Sequence, residues 1–183
     1  MNVLGRAVFM DRDGTLIDDV GYPSRPDDVR LLPGAAEALL RFGAAGYKRI
    51  VISNQSGIGR GLITRAQATA VHERLLAVLA EAGAEIDAAY YCPHAPDESC
   101  ACRKPSPELI LQAARELDLD PSGSFMIGDK PSDVESGSRA GCRTILLSSR
   151  PTEARVGVEA DAVVTGWPDA VEHVLTADRA ISG

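Results

Sequence analysis

Ala7-Val8-Phe9-Met10-Asp11-Arg12-Asp13-Gly14-Thr15 passes from four apolar residues directly into two carboxylates and a glycine. A short continuous apolar run that ends in turn residues reads as a strand buried on both faces. Along an extended chain, residues i and i+2 face the same way, so Asp11 and Asp13 are expected to project together beyond the strand's end. Gly14 then allows a sharp turn and a close approach of the backbone to a ligand. Taken alone, Asp-x-Asp-Gly also fits a calcium loop or a plain turn.

Outward from this stretch, apolar runs alternate with amphipathic ones to the end of the chain. Ala7–Met10, Ile50–Ser53, Ala88–Tyr91, Ser124–Ile127, Thr144–Leu147 and Ala162–Val164 read as short buried strands. Gly34–Ala45, Thr64–Ala82, Ser106–Leu117, Ser132–Ala140 and Pro168–Leu175 read as helices. Gly46, Gly83 and Gly141 each follow a helical stretch as a stop. Thr64 and Ser106 are expected N-caps, and Pro107 suits a first helical position. Such alternation predicts an α/β fold, a three-layer α/β/α doubly wound parallel sheet with right-handed crossovers. There is no internal repeat, low-complexity tract or long polar linker, so residues 1–183 are expected to form one domain. In such a sheet the chemistry lies beyond the carboxyl ends of the strands.

Composition narrows the function classes. The 183 residues are 45% hydrophobic but only 4% aromatic, so the core must rest on Ala, Val, Leu and Ile. A formal net charge of −7 and a pI near 5.0 argue against a general nucleic-acid or membrane-surface binder. No run approaches the length of a transmembrane helix, and MNVLGRAVFMDRDG lacks a cleavable leader pattern. A cytoplasmic location is expected, with the chain acting as a monomer and its cysteines reduced.

Three more strand ends carry polar groups. Ser53-Asn54-Gln55-Ser56-Gly57-Ile58-Gly59-Arg60-Gly61 places a hydroxyl ahead of a glycine-rich turn whose N–H groups suit phosphate oxygens. Arg103-Lys104-Pro105 offers two adjacent cations, which by themselves fit a solvated surface pair. Gly128-Asp129-Lys130-Pro131-Ser132-Asp133 opens a helix with acids, where negative charge is favoured in any case. The bland readings weaken once the four pieces are seen in order, each at the end of a predicted strand.

That ordered set resembles the four motifs of the haloacid dehalogenase (HAD) superfamily over roughly residues 5–150. The resemblance implies a phosphatase in which Asp11 attacks phosphorus and forms an aspartyl phosphate. Asp13 would protonate the leaving oxygen and then deprotonate the attacking water. Ser53 and Lys104 would hold the phosphoryl oxygens as charge develops. Catalytic Mg²⁺ would sit on Asp11, the Asp13 carbonyl, Asp129 and Lys130, the last through its backbone carbonyl and not its ammonium. Asp133 would orient Lys104 or a metal-bound water.

Cys92-Pro93-His94 and, five residues on, Cys100-Ala101-Cys102 supply three thiols and an imidazole. This is a closed ligand set of the structural Zn²⁺ type; a disulfide or plain reduced thiols are the rival readings. Zinc on Cys92, His94, Cys100 and Cys102 would pin the chain immediately before Arg103 and Lys104. Cys142 reads as a buried thiol, His72 and His173 as surface or packing residues, and Trp167 as packing on or capping the last helix.

Neither Asp13 to Ser53 nor Ser53 to Lys104 has room for a cap domain, so an open site is expected. Within the superfamily the motifs resemble capless enzymes acting on phosphorylated sugars. The resemblance implies removal of the 7-phosphate from a heptose 1,7-bisphosphate, in nucleotide-heptose synthesis for bacterial surface glycans. It further implies that Asp19, Val20, Gly21 and Tyr22, then Ser53, Asn54, Gln55 and Ser56, then Arg103 and Lys104 meet substrate. Ser53 stands where many relatives have Thr, and the short loop between His94 and Cys100 bears on the preferred anomer. Histidinol-phosphate phosphatases, polynucleotide 3′-phosphatase domains and phospho-accepting signalling domains are the alternatives. The acidic balance speaks against the second of these. An Asp-x-Asp on the first strand, which holds nucleophile and acid/base together, speaks against the third.

Overall fold

A computed structural model describes residues 4–149 and 159–181, with 178–181 as backbone only. Met1–Val3, part of the stretch read for a leader, lie outside the described residues. Six parallel strands, β1 (Arg6–Met10), β2 (Tyr47–Asn54), β3 (Ala88–Cys92), β4 (Phe125–Gly128), β5 (Arg143–Leu147) and β6 (Ala162–Val164), form one sheet in the order β3-β2-β1-β4-β5-β6. The helices are α1 (Ala35–Ala44), α2 (Ser56–Gly59), α3 (Arg65–Glu81), α4 (Glu108–Glu116), α5 (Pro131–Ala140) and α6 (Trp167–Ile181). Among the described residues no helix is long and apolar enough to cross a membrane.

The side-chain period of two on β1 divides the core. Val8 and Met10 enter a cluster with Leu39 and Phe42 of α1, Leu75 of α3 and Val171 of α6. Ala7 and Phe9 enter a second cluster with Leu109 and Ile110 of α4 and Ala140 of α5. Strands covered on both faces explain the near-continuous apolar runs. The chain winds outward from β1 to β3, then returns to lay β4 on the other side of β1. The crevice at that reversal, past the ends of β1 and β4, is where ligands of such sheets bind.

Boundaries shift where tertiary contacts extend or shorten local preference. β2 starts at Tyr47, not Ile50, because pairing with β1 begins at Arg6↔Tyr47. Thr64 caps α3 as expected, its Oγ1 accepting from Gln67 N at 3.1 Å. Pro107 occupies the cap position of α4 and not its first turn, and Ser106 Oγ meets Glu108 N at 3.3 Å. The turn α2 was not expected, since two of its four residues are glycine. Gly46, Gly83 and Gly141 take φ of 82°, 76° and 88°, the left-handed stop that suits glycine.

Candidate active site

Asp11 follows β1 immediately and keeps its register, its N–H donating to Ile127 O of β4 at 3.0 Å. The chain then turns, with the Arg12 carbonyl accepting from Leu16 and Ile17 N–H at 2.9 and 3.0 Å. Gly14 is required in this turn. Its φ is 86°, and a Cβ there would sit 2.4 Å from Asp129 Oδ2. The neighbouring Thr15 hydroxyl donates to Asp129 Oδ1 at 3.1 Å, which joins the ends of β1 and β4.

Lys104 enters from the far side and is only 3% exposed. Its ammonium lies 2.9 Å from Asp11 Oδ1 and 2.7 Å from Asp133 Oδ1, and it donates to Ile52 O at 2.7 Å. Burial opposes the charge on Lys104, but the two carboxylates outweigh it and hold its pKa above the usual lysine range. Asp133 is itself fixed, accepting from Lys130 N at 2.9 Å. It packs so closely on Gly128 that a Cβ there would lie 2.3 Å away. Asn54 holds the Lys104 backbone from both ends of its amide, Nδ2 donating to Lys104 O at 3.1 Å and Oδ1 accepting from Lys104 N at 3.0 Å.

Asp11, Asp129 and Asp133 bring carboxylate oxygens within 4.8 Å of one another. Burial pushes Asp129 up to about 6, against the pull of Lys130 and with reinforcement from Asp11 and Asp133. Asp11 Oδ1 and Asp133 Oδ1 are buried and, apart from the Lys104 ion pair, have no hydrogen-bond partner among the described residues. Crowded, desolvated oxygens with spare lone pairs fit a hard divalent cation. The Lys130 ammonium turns away from this cluster to Asp19 at 3.0 Å and lies 3.9 Å from Asp129.

A cleft of about 380 Å³ opens over Asp11, Lys104 and Asp133, while Asp129 lines a neighbouring cavity with Gly14 and Trp167. Of the residues expected to act on substrate, Asp11, Asp13, Asp19, Gly21, Tyr22, Ser53, Asn54, Gln55, Ser56, Arg103 and Lys104 line the cleft, as does Lys130, expected at the metal. Val20 does not; it is 55% exposed. Arg60, Ser132 and Asp133 also line the cleft. Tyr22 closes one wall against α2, where a Cβ on Gly57 would lie 2.7 Å from its ring.

The cysteine loop stands next to this wall. Cys92 Sγ lies 3.7 Å from Cys100 Sγ and 3.6 Å from His94 Nδ1, and Cys102 Sγ lies 3.3 Å from the same nitrogen. A tetrahedral zinc with ordinary bond lengths separates its donors by ~3.5–3.8 Å, so the four atoms fit that ion. The loop also carries the phosphate-side turn: Cys92 O accepts from Gln55 N at 2.7 Å, and Pro93 O from Gly59 N at 2.8 Å. Any side chain on Gly59 would strike the backbone of His94 and Ala95. Arg103 Nη1 reaches His94 O at 3.4 Å.

Outside the cleft, His72 is half-buried against Tyr91, Cys142 is buried, and Trp167 packs edge-on against Phe42. The Trp167 indole also donates to Thr15 O at 2.9 Å, which braces the catalytic turn from below. Sequence reasoning passed over Arg12, which was treated only as the residue between two acids. It is fully buried and bonded to Asp13. The signal was present, because a cation at a buried strand end with a carboxylate on each side has to be paired.

Comparison with known proteins agrees with this arrangement. The HAD-hydrolase-like family model matches residues 101–171. With the parallel sheet and the strand-end acids, this match agrees with a HAD-like hydrolase, and the relatives that follow make the class that of the phosphoric monoester hydrolases. A D-glycero-β-D-manno-heptose-1,7-bisphosphate 7-phosphatase of Photorhabdus laumondii is 37% identical, over 89% of this chain and 92% of its own. The enzyme of that name from Helicobacter pylori J99 is 44% identical over 82% and 88%. The crystal structure of the Bordetella bronchiseptica D,D-heptose 1,7-bisphosphate phosphatase, complexed with magnesium and phosphate, superposes with a TM-score of 0.86 and 34% identity, covering 94% of this chain and 99% of that one. The chain belongs to the D-glycero-β-D-manno-heptose-1,7-bisphosphate 7-phosphatase family.

Proposed function

We propose that this protein is a magnesium-dependent phosphatase, a single capless domain that removes the 7-phosphate of D-glycero-D-manno-heptose 1,7-bisphosphate in nucleotide-heptose synthesis. The observation that carries the proposal is the Asp11 carboxylate 2.9 Å from a buried Lys104 ammonium on the wall of an open cleft. Asp11 attacks phosphorus in line, and Asp13 passes a proton to the leaving oxygen. Ser53 and Lys104 bind the phosphoryl oxygens as negative charge spreads over them. Water then cleaves the aspartyl phosphate, with Asp13 as base. Asp11, the Asp13 carbonyl and Asp129, with Lys130 through its backbone carbonyl, would hold Mg²⁺. When bound, the ion neutralises charge on the transferred group. Four free thiols, two of them 3.7 Å apart, suit the reducing cytoplasm.

Phosphate, lysine and magnesium cannot distinguish one phosphomonoester from another, so selection falls to the groups that meet the rest of the molecule. Arg103 and Arg60 on the cleft wall offer cations to a second phosphate, whereas the amine of histidinol phosphate would be repelled. With two charge contacts of ~1.5 kcal/mol each, kcat/KM for the heptose bisphosphate is expected to exceed that for histidinol phosphate at least ~100-fold. A turnover screen with both bisphosphate anomers, histidinol phosphate and a 3′-phosphorylated oligonucleotide tests this. The names of the curated relatives specify the β anomer, which is therefore expected to be turned over faster than the α form. Arg103→Ala should narrow the gap more than it slows an aryl phosphate. Histidinol phosphate as the better substrate would refute the assignment while leaving the mechanism intact.

Zinc on Cys92, His94, Cys100 and Cys102 is the second metal of the proposal. Elemental analysis is expected to find about one tightly held zinc per chain. Cys100→Ser should lose most of it and lower Tm by at least ~4 °C, since metal binding is folding free energy. Protein without zinc, holding instead a Cys92–Cys100 disulfide under reducing conditions, would remove this reading.

A further inference from the structure

Both oxygens of the Asp13 carboxylate accept hydrogen bonds from within the protein. Arg12 Nε donates to Oδ1 and Arg12 Nη2 to Oδ2, each at 3.0 Å. Gln55 Nε2 donates to Oδ2 at 2.8 Å, and Gln55 Oε1 accepts from Arg12 Nη2 at 2.9 Å, which closes a triangle. The same Gln55 nitrogen reaches Ser53 Oγ at 3.1 Å, tying the triangle to the phosphate side of the cleft. None of the three members is freely solvated: Arg12 is 0%, Gln55 4% and Asp13 8% exposed. Behind them the guanidinium faces the Tyr91 ring, 5.7 Å from its centroid, and Tyr91 OH is fixed by His72 Nδ1 at 2.6 Å.

We infer that Arg12 and Gln55 are positioning residues, which set the plane and tilt of the Asp13 carboxyl for proton transfer. The inference rests on the acid/base role given to Asp13 above. A carboxyl on a short side chain turns about its terminal bond with little resistance. Proton transfer, by contrast, needs the acid within hydrogen-bond reach of one oxygen. A two-pronged guanidinium matches a carboxylate edge and removes that freedom, which a lysine point charge cannot do. The Asp13 O–H bond breaks as the P–O bond of the leaving group breaks, and the proton ends on the leaving alkoxide. In the second half-reaction Asp13 takes a proton from water as that water's oxygen bonds to phosphorus, and the Asp11 O–P bond breaks to give back the Asp11 carboxylate. Arg12 exchanges no proton and does not line the cleft. It acts on Asp13 directly and through Gln55.

Leaving groups separate this role from a merely structural one. An alkyl phosphate needs its leaving oxygen protonated, whereas 4-nitrophenolate departs without help. The experiment measures single-turnover release of the leaving group, so that only the first half-reaction is read, for the heptose bisphosphate and for 4-nitrophenyl phosphate. Arg12→Met is expected to slow the alkyl substrate at least ~100-fold and the aryl substrate less than ~5-fold, the size of a lost general acid. Arg12→Lys, which keeps the charge and the fold but not the fork, should show the same selectivity at ~10-fold. It is the variant to read should Arg12→Met not fold. Asp13→Asn is run beside them. Leaving-group selectivity in Asp13→Asn, with equal slowing of both substrates or no slowing in both Arg12 variants, overturns the positioning role alone. No selectivity in Asp13→Asn overturns the acid/base reading and this inference with it.

Discussion

Asp11→Asn is expected to lose at least ~10⁴-fold in kcat while the fold survives. The amide keeps the size of the carboxylate, and the backbone bond from residue 11 to Ile127 O does not depend on the side chain. What disappears is the nucleophile, and no neighbour replaces it. Asp13 is engaged by Arg12 and Gln55, Asp133 is tied to Lys104 and to Lys130 N, and Asp129 accepts from Thr15. The variant relieves one of three crowded negative charges but gives up the Asp11 half of the Lys104 ion pair, while Asp133 still holds the ammonium at 2.7 Å. Its Tm without magnesium should therefore stay close to that of the unaltered protein. Intact-mass analysis of a rapidly quenched reaction should find a phosphorylated adduct on the wild type and none on the variant. Turnover near the wild-type rate would end the proposed mechanism.

Lys104→Met should be the most damaging single change to stability and activity together. It strands Asp11 and Asp133, whose oxygens lie 2.9 and 2.7 Å from the lost ammonium in a buried place. Breaking such a pair from one side typically costs ~3–5 kcal/mol, and loss of a donor to the developing charge costs a further ~10²–10³ in kcat. The pH dependence has a definite sign. The folded-state pKa of Lys104 is raised, so its contribution is complete below the ordinary lysine value of about 10.4 and disappears only as pH rises through the folded value. In the variant, burial already favours the protonated form of Asp133, and without the ammonium the hydrogen bond from Lys130 N is what remains to oppose it. Protonation therefore relieves the variant as pH falls, and its deficit should be smaller at pH 5 than at pH 8. Urea unfolding at both pH values measures this; equal deficits would contradict the buried-pair account. Lys104→Met/Asp133→Asn should regain much of the stability and none of the activity.

The alternation of strands and helices, and the acids and cations at four strand ends, were legible because they follow from local rules. Period-two burial, glycine stops and the placement of sites at strand ends can all be read without knowing which strand neighbours which. Side-chain direction at the ends of strands cannot. Asn54 lines the cleft, where it was expected, but that both ends of its amide also hold the Lys104 backbone, 50 residues away, was not legible. Arg12 was passed over because extended chain would send it away from Asp13; only the turn that follows lets it curl back. Trp167 was read as packing or capping, and its bond to Thr15, 152 residues earlier, depends on how α6 lies against the first loop. The partners of Asn54 and Trp167 are chosen by tertiary packing and that of Arg12 by the turn geometry, neither of which a strand or helix pattern encodes.

The central position of β1 bears on how the molecule comes into being. The strand that carries the nucleophile pairs on one side with β2 and on the other with β4, where Val8 meets Phe125 and Met10 meets Ile127. A growing chain presents Ala7–Met10 first and must wait for more than a hundred further residues before its second edge is covered. Pairings so distant in sequence form late, because the loop must close before the contact rewards it. Until then β1 offers an open apolar edge, the kind of surface that chaperones bind and that aggregates when left alone. Nascent chains halted before Phe125 would carry Asp11 and Asp13 with neither the β4 edge nor Asp129, so phosphatase chemistry should emerge only late in synthesis.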